Sequence, residues 1–204
     1  MKKILTILSL ISFNLSIAQT KEYKRIDLKP DKNKITSDSL DIFETYQLNS
    51  LMFIFGWTQK KGVTPQISKM IIKNSSGNII FSKMGQVDSY IFRPTFFETN
   101  NSTDPIIIFI ESGSEYSWGN TVFRIKNNSV EELGEIDVSN YDTLDNNSGN
   151  IAPLTLIKSE GDTILFKFSS NKILYNPGGQ KEKIYDGLSL WYVYSKGQLE
   201  MKIK

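Results

Sequence analysis

The sequence predicts an all-β antiparallel domain behind an N-terminal export signal, and three observations carry that prediction. Residues 51–57 (LMFIFGW) and 106–110 (IIIFI) are apolar on both parities, the pattern of strands covered on two faces. Polar breaks rich in Asn, Gly, Ser and Pro recur along the chain, often at the spacing of roughly 8–12 residues expected of sandwiches and barrels. No segment shows the 3.6-residue period of an amphipathic helix. A sandwich or a meander of hairpins fits these breaks, with propeller-like sheets as the alternative. No repeat of fixed period supports a propeller.

Residues 1–18 read as a signal peptide. Lys2 and Lys3 form the positive start, residues 4–17 the apolar run, and Ser16-Ile17-Ala18 the small-residue cleavage signal. That run is shorter than the roughly 20 residues a membrane span needs, and no later segment is long and apolar enough to span. The expected location is therefore exported, periplasmic or secreted. Residues 19–38 are a polar lead-in with room for one short strand at 23–28. Residues 39–204 form the all-β domain.

Within that domain residues 40–48 read as a strand, with Glu44 interrupting the alternation of Leu40, Ile42, Tyr46 and Leu48. Residues 67–73 and 78–83 form a hairpin around Asn74-Ser75-Ser76-Gly77. Residues 88–98 make a strand interrupted, or placed at an edge, by Pro94, which has no N–H to give a ladder. Residues 121–126 and 130–138 form a hairpin on Asn127-Asn128, residues that tolerate positive φ. Residues 139–150 (SNYDTLDNNSGN) read as a long polar loop. Residues 154–158 and 163–168 pair around Ser159-Glu160-Gly161-Asp162. Residues 188–194 and 199–203 pair around Lys196-Gly197.

Composition bounds the chemistry. The chain has no histidine and no cysteine. Serine–histidine catalysis, cysteine nucleophiles, disulfides and the usual zinc or copper sites are thereby excluded. No phosphate-cradling glycine motif is present, and no cofactor is expected. Of 24 basic residues, Lys2 and Lys3 belong to the export signal, leaving 22 against 22 acidic ones. A neutral surface argues against nucleic acid as a partner.

The densest set of reactive groups lies between the second apolar run and the Asn-Asn hairpin. Glu115, Tyr116, Trp118 and Asn120 are the candidate ligand- or partner-binding residues. If the protein were an enzyme, Glu111 and Glu115 would be its carboxylate pair, brought within roughly 5–9.5 Å by a fold-back at Gly113. Trp57, Trp118, Trp191, Tyr116, Tyr192 and Tyr194 are candidates for a sugar-stacking surface, although the aromatics of 190–194 fall on both parities, so one set belongs in the core. Asp142, Asp145 and Asn147, followed by Gly149, have part of the rhythm of a calcium loop but lack its remaining ligands. The expected function is a non-catalytic binding protein, of immunity or inhibitor type, whose partner is a protein or a surface glycan. A carbohydrate-binding module or a carboxylate glycan hydrolase is the alternative.

Overall fold

The computed structural model describes residues 20–31, 40–58, 67–142 and 147–204. The export signal predicted at 1–18 lies outside the described residues. Among the described residues seventeen strands run in chain order. The first six are β1 Lys21–Ile26, β2 Leu40–Leu48, β3 Leu51–Thr58, β4 Ser68–Lys73, β5 Ile79–Met84 and β6 Ile91–Glu98. Next come β7 Ile106–Gly113, β8 Ser117–Lys126, β9 Ser129–Ile136, β10 Val138–Asp142 and β11 Asn147–Gly149. The chain closes with β12 Thr155–Glu160, β13 Thr163–Phe168, β14 Lys172–Tyr175, β15 Lys183–Asp186, β16 Leu190–Ser195 and β17 Gln198–Ile203. A three-residue 3-10 turn, Ala152–Leu154, is the one helical element among the described residues. Every strand pairing is antiparallel.

Nine strands form one curled sheet in the order β17-β16-β13-β12-β1-β6-β7-β8-β9. Its inner face carries Tyr23, Phe97, Ile107, Phe109, Val122, Leu133, Ile157, Phe166 and Tyr192, with members from every strand packed into one core. A second sheet, β2-β3-β4-β5, lies against the outer face of β6, β7 and β8. There Phe53, Phe55, Met70 and Ile72 meet Phe92, Phe96, Ile108, Ile110 and Phe123. Strand β7 belongs to both cores: Ile107 and Phe109 point inward, Ile106, Ile108 and Ile110 outward, and all eight residues are buried. Its two-sided apolar pattern has this origin. Each such side chain contributes about 1.5–3 kcal/mol by burial. The third sheet, β11-β10-β14-β15, adds Val138 and Ile173 to the inner core, with Tyr175 and Tyr185 packed against it. It covers the end of the barrel where β7 finishes and β8 begins.

The nine-stranded sheet is a nearly closed barrel. Its edge strands β9 and β17 face each other without forming a ladder. At that seam a Cβ on Gly134 would lie 3.1 Å from Cβ of Leu199. Two tyrosine hydroxyls reach across: Tyr192 donates to Asp137, and Tyr194 donates to Glu131. Glu131 also accepts from Arg124 Nε at 2.8 Å, and that guanidinium stands 5.5 Å over the Tyr194 ring.

The break in alternation at Glu44 is a β-bulge between Ile42 and Glu44. Pro94 is inside β6 and opposite Ile110, but β1 pairs with β6 only at Phe96–Glu98, so the proline sits at a local edge. Asn127 and Asn128 both adopt positive φ, at 51° and 62°, as a two-residue hairpin requires. The strand expected at 130–138 divides at Asp137: β9 stays in the barrel and β10 leaves for the capping sheet. Of the polar loop expected at 139–150, the described residues 139–142 and 147–149 are strand, because β10 and β11 pair with each other and β10 pairs with β14.

The tyrosine clasps generate a stability prediction. Burial, with Asp137 alongside, raises the Tyr192 hydroxyl pKa, and the hydrogen bond to Glu131 followed by burial raises that of Tyr194. Unfolded tyrosine loses its proton near pH 10. The stabilisation is complete below that pH and declines as pH rises above it, because the unfolded chain releases protons first. Urea denaturation between pH 8 and 11 should show this alkaline decline, flattened in a Tyr192→Phe/Tyr194→Phe variant. At pH 8 each single change should cost about 1–3 kcal/mol, since a carboxylate loses its donor.

Candidate functional site

The candidate residues at 111–120 are carried mostly by strand. The β7–β8 turn consists of Ser114, Glu115 and Tyr116 alone. Gly113 permits it, since a Cβ there would lie 2.2 Å from the Tyr116 carbonyl oxygen. The neighbouring segment pins the turn in place: Ser89 Oγ accepts from Gly113 N–H at 2.9 Å, and Tyr90 N–H donates to the Gly113 carbonyl at 2.8 Å.

Glu111 lies on the inward parity of β7, in line with Ile107 and Phe109, and is 5% exposed. It faces Arg93 across β6 and Asn120 across β8. Asn150 Nδ2 donates to Glu111 Oε2 at 3.1 Å, while Asn150 Oδ1 accepts from Ala152 N–H at 2.9 Å at the start of the 3-10 turn. Burial raises the pKa of Glu111, opposed by Ser117, Arg93 and Asn150. Ser117 is near enough to favour the anion without completing a hydrogen bond. Its Oγ, and both Asn120 side-chain amide atoms, are buried without a partner.

Glu115 stands in the opposite environment, exposed at the tip of the turn. The two glutamates thus occupy a buried wall and a solvated tip. Tyr116 and Trp118 are half-buried and flank the 176–179 loop, where a Cβ on Gly178 would lie 2.9 Å from the Tyr116 hydroxyl and 3.7 Å from Trp118 Cδ1. Gly178 N–H is tied to Glu182 Oε1 at 2.5 Å.

Beside Tyr116 a groove of about 640 Å³ runs along the capping sheet, lined by Tyr141, Ser148, Leu174, Glu182, Lys183 and Ile184. Ser148 joins the groove to the buried polar group, with its Oγ within 3.5 Å of the Ser117 carbonyl oxygen. Sequence reasoning singled out Tyr116 but not the rest of this lining. Leu174, Lys183 and Ile184 come from β14 and β15, and nothing in their local pattern links them to residue 116. A cavity of about 720 Å³ at the opposite barrel end is lined by Lys21, Arg124, Lys126, Glu131 and Asp162 among others. Two of its cations already have partners, in Lys21–Asp104 and Arg124–Glu131, so it offers less unmet chemistry than the groove.

The other candidates are dispersed. Tyr192 and Tyr194 face the inner core, while Trp191 is half-buried on the opposite parity of β16. Trp57 packs against Phe43 in the outer sheet, 5.5 Å between ring centroids. Asp142 and Asn147 pair through their backbones across β10 and β11, and Asp145 lies outside the described residues. Among the described residues no group of three or more acidic side chains gathers as a metal site. No protein family, curated protein or solved structure matches the chain.

The environment of Glu111 predicts a pH-dependent substitution effect. A carboxyl whose folded pKa is raised opposes folding once pH exceeds its unfolded value, about 4.3. Glu111→Gln keeps an acceptor for Asn150 and removes that penalty. Thermal melts should show the variant more stable than the parent at pH 7 and level with it by pH 4. Equal stability at both pH values would contradict the burial of an ionisable group.

Proposed function

We propose that the protein is an exported, non-catalytic binding protein of the bacterial envelope or exterior, of immunity or inhibitor type. Its partner, a protein or a surface glycan, occupies the groove between the β7–β8 turn and the capping sheet. The observation that carries this reading is the lining of the groove. Two aromatic walls, Tyr116 and Tyr141, and two aliphatic ones, Leu174 and Ile184, surround a serine floor and a charged rim at Glu182 and Lys183. Mostly apolar concavities with a few placed polar groups are what ligand sites consist of. Export rests on the charged start, apolar run and small-residue cleavage signal of residues 1–18.

A hydrolase is the second reading, favoured by one observation: burial raises the pKa of Glu111, as an acid catalyst requires. The exposure of Glu115 weighs against it, because the pair would differ in access to one bond. Loss of glycan turnover in Glu111→Gln would establish it, and absence of turnover in the parent would remove it.

Affinity capture on the immobilised protein, exposed to envelope extract and to soluble glycans, tests the binding reading. A single stoichiometric ligand should be retained, and Tyr116→Ala and Tyr141→Ala, which line the groove, should each weaken retention about tenfold or more, with Trp118→Ala, outside that lining, weakening it less; a melt of each variant checks that it is folded. A tenfold loss corresponds to about 1.4 kcal/mol, in the range of aromatic contact residues. Retention unaffected by all three changes would place the partner elsewhere.

A further inference from the structure

Five buried polar side-chain atoms lack a partner among the described residues, and three of them lie together: Ser117 Oγ, Asn120 Oδ1 and Asn120 Nδ2. Leaving a buried polar atom unmet is destabilising, so three in one place point to an occupant. They stand beside the Glu111 carboxylate. Asn120 is its direct cross-strand partner, a position where Cβ atoms are about 4.5–5.5 Å apart. The two side chains nevertheless form no hydrogen bond to each other.

The chemistry of the guest follows from the donor and acceptor inventory. Glu111 supplies acceptors, Ser117 can donate or accept, and Asn120 supplies one acceptor and two donors whichever way its amide is turned. A bare cation would satisfy the oxygens and leave the amide N–H groups unmet. An anion would meet the carboxylate. A hydroxyl or a water, which donates and accepts at once, satisfies the whole set.

None of the three side chains lines the groove, but the cluster lies directly behind its wall. Tyr116, a groove wall, immediately precedes Ser117, and the groove residue Ser148 contacts the Ser117 carbonyl. We infer that the groove's ligand is a hydroxyl-rich molecule, a glycan, and that the buried Glu111–Ser117–Asn120 cluster, behind the groove wall at Tyr116, holds the water that bridges to one of its hydroxyls. This inference rests on the groove being the binding site. Aromatic walls at Tyr116 and Tyr141 suit the apolar faces of sugar rings, and Glu182 and Lys183 at the rim add an acceptor and a donor for further hydroxyls.

Calorimetric titration of the full chain with cellotriose, maltotriose and N-acetylated chitotriose tests it. At least one trisaccharide should bind. Asn120→Leu, which keeps the shape and removes both unmet atoms, should weaken that binding tenfold or more while leaving the melting temperature equal or higher. Ser117→Ala, a smaller change that keeps the inference testable if Asn120→Leu fails to fold, should weaken it at least threefold. Binding that survives both changes but is lost in Tyr116→Ala overturns the cluster's role and leaves the groove reading standing. Binding that survives all three overturns both. If no trisaccharide binds, the glycan assignment falls, while envelope-extract capture still decides whether the groove holds a protein.

Discussion

Strand β7 has no solvent face, and the rest of the architecture follows from that. A strand buried on both sides must place two layers around itself, and here they are the interior of the nine-stranded barrel and the β2–β5 sheet. Phe109 packs inward between Phe97 and Phe166, tilted against one ring and edge-on to the other at 5.3 and 5.9 Å between centroids, while Ile108 and Ile110 meet the phenylalanines of the outer sheet. A shift of register by one residue would exchange the two cores and send Glu111 into the outer one. Register is therefore specified from both faces at once. The flanking strands β6 and β8 share the constraint, with Phe97 and Val122 turned inward and Phe96 and Phe123 outward.

The barrel that β7 anchors does not close through its backbone. Tyrosine hydroxyls from β16 reach over β17 to carboxylates on and just after β9, so the closing contacts are titratable where a ladder would not be. The backbone edges of β9 and β17 are kept together by close packing as well: Gly134, at φ 136°, lets Leu199 approach. This arrangement ties the shape of the barrel interior to the protonation of a few named groups. Most barrels avoid that dependence by complete closure.

At its capped end the same barrel leaves polar chemistry unfinished. Glu111 ends an apolar inward row, where the capping sheet replaces water with Asn150 and leaves Ser117 and Asn120 unmet. Buried polar groups are ordinarily satisfied, so a concentration of exceptions beside a groove is a physical pointer to an occupant. The contrast with the opposite end is instructive, since the Arg124–Glu131 and Lys21–Asp104 pairs there satisfy one another.

Much of the fold was legible in the amino-acid sequence because it depends on local rules. Two-sided apolar runs marked β3 and β7. Asn127-Asn128 and Lys196-Gly197 marked turns that need positive φ, and Glu44 marked a bulge. The density of reactive side chains at 111–120 also stood out. What could not be read locally was which edges meet and which distant segment covers the polar end. Residues 139–150 look like loop because their strands are short and polar; 139–142 and 147–149 become strand by pairing with each other and, through β10, with β14, which lies more than twenty residues on. Glu111 and Glu115 look equivalent in the sequence, four residues apart. Strand parity sends one toward the core, and the turn leaves the other in water. The sequence settles β composition, turn positions and the exclusion of histidine and cysteine chemistry, because side-chain type and alternation decide these. Only the tertiary structure decides the seam, the groove and the unmet cluster, because each is made by side chains that long-range pairing alone brings together.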